Sequence, residues 1–132
     1  MTTLKKESAA GFTLIEVMIA LAIVAIIVAI AYPSYTSQVQ QTRRAAAQTE
    51  ILEVAQSLER CNTRTNSYNG CGIGNQPSED GRYTITVNAD AATYTVAAVP
   101  IPGESQDDDY CETMTVNHLG ERTSADNDRC WR

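Results

Sequence analysis

The chain has 132 residues and carries 10 Lys+Arg against 16 Asp+Glu, a formal net charge of −6. That length allows one modest domain with a small core and no second one of comparable size. A surface so acidic repels phosphate backbones, which argues against nucleic acid as a partner.

The first eleven residues, MTTLKKESAAG, are polar and contain the only lysines, Lys5 and Lys6. They give way to Phe12–Ala31, FTLIEVMIALAIVAIIVAIA, in which only Thr13 and Glu16 are polar. At 1.5 Å rise per residue such a run spans about 30 Å as a helix, the thickness of a bilayer's hydrocarbon core. Flanking lysines stay on the cytoplasmic side, so the C-terminal part is expected to face outward. A secretory signal peptide has a shorter apolar run followed by small residues. Here Ala9, Ala10 and Gly11 come before the run instead. A plain anchor fits the length but leaves Glu16 unexplained. A charge at the bilayer centre costs roughly 2.5–3.5 kcal/mol, less near the interface, and an intramembrane carboxylate reads as functional by default.

Pro33 removes one backbone hydrogen bond and crowds the preceding turn, so a kink or a locally melted stretch is expected there. Beyond it, residues 34–60 read as an amphipathic helix. Tyr35, Val39, Ala46, Ala47, Ile51, Val54, Ala55 and Leu58 recur at three- and four-residue steps. Arg43 and Arg44 fall on the polar side and read as an exposed face. Residues 61–82 form a Gly/Asn-rich connection. Gly70, Gly72 and Gly74 lie in it, but no strand precedes them, no helix follows and no lysine is at hand, so a surface loop is expected rather than a phosphate loop.

Alternation begins at Tyr83, with Ile85 and Val87, and resumes after a turn at 89–92 with Tyr94, Val96 and Ala98. Pro100 and Pro102 end that strand. A third run, Cys111–Asn117, alternates around Met114 and Val116, and a turn near His118–Gly120 leads to a short fourth strand through Thr123. Asp107, Asp108 and Asp109 raise a calcium site, yet the run lacks the spaced ligands and fixed turn of an EF-hand, so a solvated acidic loop is expected. His118 reads as a solvent-facing turn residue, and Trp131 as a packing residue over a neighbouring disulfide.

The four cysteines, Cys61, Cys71, Cys111 and Cys130, contain no CxxC pair, and His118 is the single histidine, which disfavours zinc. Two disulfides outside the cytoplasm are expected. Three connectivities are open. Cys61–Cys71 and Cys111–Cys130 are favoured because each closes a local loop, contributing on the order of 3 kcal/mol apiece in the loop-entropy picture. No Ser/His/Asp or Cys/His constellation supports catalysis, and no cofactor or metal is expected.

Gly11-Phe12-Thr13-Leu14-Ile15-Glu16, followed by the apolar run, resembles the type IV prepilin cleavage and methylation motif. Tyr32-Pro33 and Tyr35 extend the match. The second half-helix, the paired strands and Cys130-Trp131 resemble, more loosely, small minor pilins of the PilE-like group. The resemblance implies cleavage after Gly11 by a membrane-embedded prepilin peptidase and methylation of the new amine of Phe12. It implies a single-pass inner-membrane protein of a Gram-negative bacterium that later joins an extracellular pilus. Once residues 1–11 are gone, 8 arginines face 15 acids, a net of −7. Inside a packed bundle, Glu16 would pair with the Phe12 amine of a neighbouring subunit and act as a register device for assembly.

The fold expected is α+β: one long N-terminal helix, half transmembrane and half amphipathic, on a disulfide-linked antiparallel sheet of three to four strands. The organisation expected is a leader at 1–11, a transmembrane and filament-core helix at 12–33, and a periplasmic head at 34–132. Within the head, the sheet occupies 83–123 and a C-terminal disulfide loop 124–132. The function implied is that of a structural pilus subunit, minor rather than major, serving biogenesis, motility or adhesion. A DNA-uptake competence pilin and a type II secretion pseudopilin are the alternatives.

Overall fold

A computed structural model describes residues 11–104, 106–107 and 109–131. Residues 1–10 of the leader, with Lys5 and Lys6, Asp108 of the acidic run, Ser105 and Arg132 lie outside the described residues. The chain divides into two compact units, Met1–Ser37 and Gln38–Arg132.

One helix, α1 (Leu14–Thr65), contributes to both units. In the first unit it is a run of Leu, Ile, Val and Ala with almost no polar side chain. Among the described residues it is the one helix long and apolar enough to cross a membrane, and its most apolar stretch is wholly uncovered. Helix continues through Pro33, so of the two expected outcomes, a kink or a locally melted stretch, the melted stretch is absent. Proline deprives the preceding turn of a single donor, a loss that the rest of the ladder tolerates, and its own carbonyl accepts the Thr36 hydroxyl at 3.0 Å. The helix also outlasts its expected end at residue 60, reaching Thr65. Asn66, at φ 56°, terminates it in the left-handed conformation while its N–H returns to the Asn62 carbonyl at 2.7 Å.

In the second unit, α1 buries Ala47, Ile51, Val54, Ala55 and Leu58. These face the antiparallel meander β1 (Gln76–Pro77), β2 (Tyr83–Ala89), β3 (Tyr94–Pro100), β4 (Met114–Asn117) and β5 (Arg122–Thr123), whose spatial order follows chain order. Registers Ile85↔Ala98, Val96↔Val116 and Ala98↔Met114 place the inward residues side by side. With Tyr83 these side chains and the helix stripe make the core. The extra strand is β1, a two-residue edge in the stretch expected to be loop and too short to show alternation. A single helical turn, α2 (Asn127–Cys130), lies in the expected C-terminal loop, capped by Asp126, whose carboxylate accepts the Arg129 N–H at 3.2 Å.

Disulfides join Cys61 to Cys71 and Cys111 to Cys130, with Cα–Cα distances of 5.9 and 5.8 Å. The second lies within the core, and the first pins the end of α1 to the glycine-rich loop.

Two expectations fail here. Tyr35 and Ala46 are exposed, whereas Arg44, expected on the exposed face, is buried. Asp109, expected in a solvated loop, is buried against it. The Arg44 guanidinium donates from Nε and Nη2 to the two Asp109 carboxylate oxygens at 3.0 and 2.6 Å, and from Nη1 to the Tyr110 hydroxyl at 3.0 Å. Asp109 also accepts the Tyr83 hydroxyl at 3.2 Å, the Gln106 amide at 3.3 Å and the Cys111 N–H at 3.3 Å. Asp107 points elsewhere and receives the Gly103 N–H at 3.0 Å. These two carboxylates of the run therefore serve separate partners. Burial alone would lower the Arg44 pKa, but the hydrogen bonds and charge of Asp109 and Tyr110 raise it. Burial, aided by the Asp109 charge and opposed by the Gln106 hydrogen bond, pushes Tyr83 up to about 12.

With side chains only 6% and 0% exposed, this pair must be kept or lost as a unit. Arg44→Ala strands a buried carboxylate and is expected to cost roughly 3–5 kcal/mol, whereas Arg44→Met with Asp109→Leu should lose far less. Denaturant melting of the full chain in detergent checks this. Equal stability of Arg44→Ala and wild type would show that the pair is dispensable.

Candidate functional site

The N-terminal end of α1 gathers the residues singled out in the sequence. Thr13 caps the helix: its Oγ1 accepts the Glu16 N–H at 3.3 Å, and its carbonyl accepts the Val17 N–H at 3.3 Å. Thr13-x-x-Glu16 has the spacing of a capping box, and the carboxylate of Glu16 lies at the positive end of the helix dipole. The spacing alone signals this local role, which is separate from any role of Glu16 as a charge in lipid. Phe12 is 83% exposed and shares a shallow apolar recess with Glu16, Val17, Ala20, Leu21 and Val24. At Gly11, an added Cβ would meet nothing within 4 Å. Among the described residues, nothing calls for glycine there.

A second gathering lies at the C-terminal end of the head. The Cys111–Cys130 bridge joins two segments in which the cysteines follow Tyr110 and Arg129. The Arg129 guanidinium lies 4.5 Å from the Tyr110 ring centroid, and that of Arg44 lies 4.6 Å from it. Nearby in sequence, Arg122 stands 5.4 Å from the centroid of the Trp131 ring, whose Nε1 donates to the Thr123 carbonyl at 3.0 Å. Arginines so placed keep their charge in water while the ring faces hold them in position. Arg129 is also 3.8 Å from Asp126, a solvent-exposed pair of little energetic weight. The sequence carries one usable signal for this surface: once Cys111–Cys130 is assumed, Tyr110 and Arg129 become neighbours.

Trp131 packs at the margin of the core, consistent with its expected place beside the bridge. His118 is half-buried rather than freely solvent-facing. Its N–H donates to the Tyr94 carbonyl at 3.1 Å, and its ring meets that of Tyr94 edge-on at 6.4 Å. Among the described residues, no three His, Cys, Asp or Glu side chains converge in a metal-holding group.

Residues 8–32 match the family profile described as the prokaryotic N-terminal methylation motif. Residues 33–115, well over half of the chain, match the profile described as "Type IV minor pilin ComP, DNA uptake sequence receptor". A similar curated protein is the type IV major fimbrial protein FimA of Dichelobacter nodosus, 32% identical over 93 residues. The alignment covers 69% of this chain and 60% of that relative, so the chain spans less than two thirds of its length. The DNA-receptor description runs against the expectation drawn from net charge, which says nothing of how the arginines are distributed. The family is a structural one whose members assemble with other pilin subunits through an apolar, membrane-anchoring N-terminal helix. This chain belongs to the type IV pilins.

Proposed function

We propose that the chain is a minor pilin whose precursor is cut after Gly11 by a prepilin peptidase and methylated on the new amine of Phe12. The observation that carries this reading is the register of Gly11, Phe12 and Glu16 at the head of an uncovered apolar helix. A glycine with open space around it among the described residues is what a close-fitting peptidase site favours at a scissile bond. Before assembly, residues 12–33 hold the subunit in the inner membrane of a Gram-negative cell, and afterwards the head is extracellular. Cleavage places a positive amine four residues before Glu16. In a filament core, that amine and the Glu16 of a neighbour neutralise each other where neither alone is tolerable.

The DNA-uptake alternative gains weight from the family description and from Arg122 and Arg129, which project from aromatic faces beside the C-terminal bridge. Exposed guanidiniums suit phosphate oxygens, and a local basic surface binds them although the chain as a whole is acidic. The secretion alternative rests on a calcium loop at Asp107–Asp109. Asp109 is already committed to Arg44, which removes its main donor.

Mass spectrometry of the mature subunit is expected to find N-methylated Phe12 as its first residue. A mature terminus beyond Ala31 would remove the cleavage proposal.

Glu16→Gln separates the two roles of that residue, because glutamine also serves a capping box but carries no charge. The variant is expected to be cleaved and membrane-held yet absent from sheared filaments, given a penalty of roughly 3–5 kcal/mol for a buried charge left alone. Normal incorporation would reduce Glu16 to a helix cap.

For DNA, Arg122→Ala and Arg129→Ala should each weaken duplex binding by the oxidised full chain. Each should also flatten the dependence of log K on log salt, by roughly 0.9 for every phosphate that is no longer neutralised. Unchanged affinity and slope in the double variant would exclude this surface.

A further inference from the structure

In the head, the two flanks of α1 differ in shape and sign. On the flank beside β4 and β5, a groove of about 530 Å³ has Leu52, Ala55, Tyr94 and Val116 in its lining, with Arg60 and Arg122 also present. Arg60 is exposed and donates only to Ser57 Oγ, at 3.2 Å, leaving most of its guanidinium to solvent. The one carboxylate in the groove, Glu59, already accepts the Tyr68 hydroxyl at 3.1 and 3.2 Å.

On the opposite flank, beside β1, the chain makes a tight turn at 78–82. Buried Ser78 organises it. Its Oγ accepts the N–H groups of Arg82 and Tyr83 at 3.2 and 3.0 Å and donates to Asp80 at 2.7 Å, while the Gly81 N–H closes onto the Ser78 carbonyl at 2.9 Å. The Glu79 N–H is held by Glu50 at 3.0 Å. Glu79 and Asp80 are thus presented outward by a backbone that has little ordering entropy left to lose. Burial, together with the charges of Asp80, Glu79 and Glu53, outweighs that backbone hydrogen bond and pushes the Glu50 carboxyl up. The cation of the turn, Arg82, is paired with Glu104, so Glu79 and Asp80 set the sign of the knob.

We propose that the arginine-rimmed groove of one subunit receives the acidic turn at 78–82 of a second copy of this chain. A cationic rim with an apolar floor suits a rigid acidic knob, and charge complementarity fixes its orientation. Because groove and knob lie on opposite flanks, the contact is heterologous. A subunit engaged through its groove still offers its knob, so pairing propagates instead of closing on a dimer. It adds a head-to-head contact to assembly through the N-terminal helix.

The test is a charge swap in the full-length chain in detergent, reading self-association by sedimentation at low and high salt. Wild type is expected to associate in a salt-sensitive way. Arg60→Glu and Glu79→Arg, both at exposed positions, should each weaken association about ten-fold by setting like charges face to face. The double variant R60E/E79R, and an equimolar mixture of the two single variants, should both recover it. Salt-insensitive association of wild type would overturn the head contact and leave helix-mediated assembly untouched. So would single variants that associate like wild type, or swaps that fail to restore. Loss of duplex DNA binding by Arg60→Glu with self-association unchanged would assign the groove to DNA and overturn the proposal.

Discussion

The head is organised around one buried ion pair. Arg44 and Asp109 are separated by 65 positions in sequence, and their fork-to-fork hydrogen bonds hold the segment after β3 against α1. Everything attached to that segment is located by the same contact. Tyr83 reaches in from β2 through its hydroxyl, Gln106 bridges from the loop to the Gln40 carbonyl at 3.3 Å, and Cys111 is seated to meet Cys130. A charge pair in a protein interior is seldom the most stable filling for its space, because both ions must surrender water. What it supplies is uniqueness: a forked guanidinium and a carboxylate satisfy each other in few arrangements, and an apolar contact in many. The arginine-bearing C-terminal surface inherits its geometry from that choice, since Tyr110 meets both Arg44 and Arg129.

The two units of the chain obey different solvents. Residues 38–65 of α1 follow the rule of a soluble helix, one stripe buried and the rest wet. Residues 14–31 are, Glu16 apart, apolar on every side and have no covering of their own. Such a surface is stable only in lipid or against other apolar helices. The single acid near its start is compatible with both because the helix N-terminus favours negative charge before any partner arrives. The favourable dipole and the prospective ion pair fall on the same side chain, one position of a capping-box spacing whose cap is Thr13.

Much of this is legible in residue order, and the failures share a cause. The apolar stretch, the helix stripe at Ala47, Ile51, Val54, Ala55 and Leu58, and the alternation in β2 and β3 are periodic signals. They lead to the right elements. The local bridges Cys61–Cys71 and Cys111–Cys130 follow from loop closure. Strand β1 is invisible because two residues cannot alternate. Arg44 and Asp109 are misplaced because a charged residue in a polar context looks solvated until a distant segment covers it, and composition does not encode that meeting. Net charge is similarly silent about local surfaces. It averages over a surface on which Glu50, Glu53 and Glu79 occupy one flank and Arg122 and Arg129 stand elsewhere.

The meander order of the sheet bears on how a subunit acquires its shape. Each strand pairs only with its immediate predecessor and successor, so the hairpins β2–β3 and β3–β4 close short loops at small entropic cost. Contacts between Arg44 and Asp109, or Gln48 and the Cys130 carbonyl, join positions 65 and 82 apart and must await that nucleus. The two disulfides enclose spans of only 10 and 19 residues, within reach of a chain still being extruded. These local pieces therefore close at smaller entropic cost than the docking of α1 onto the sheet.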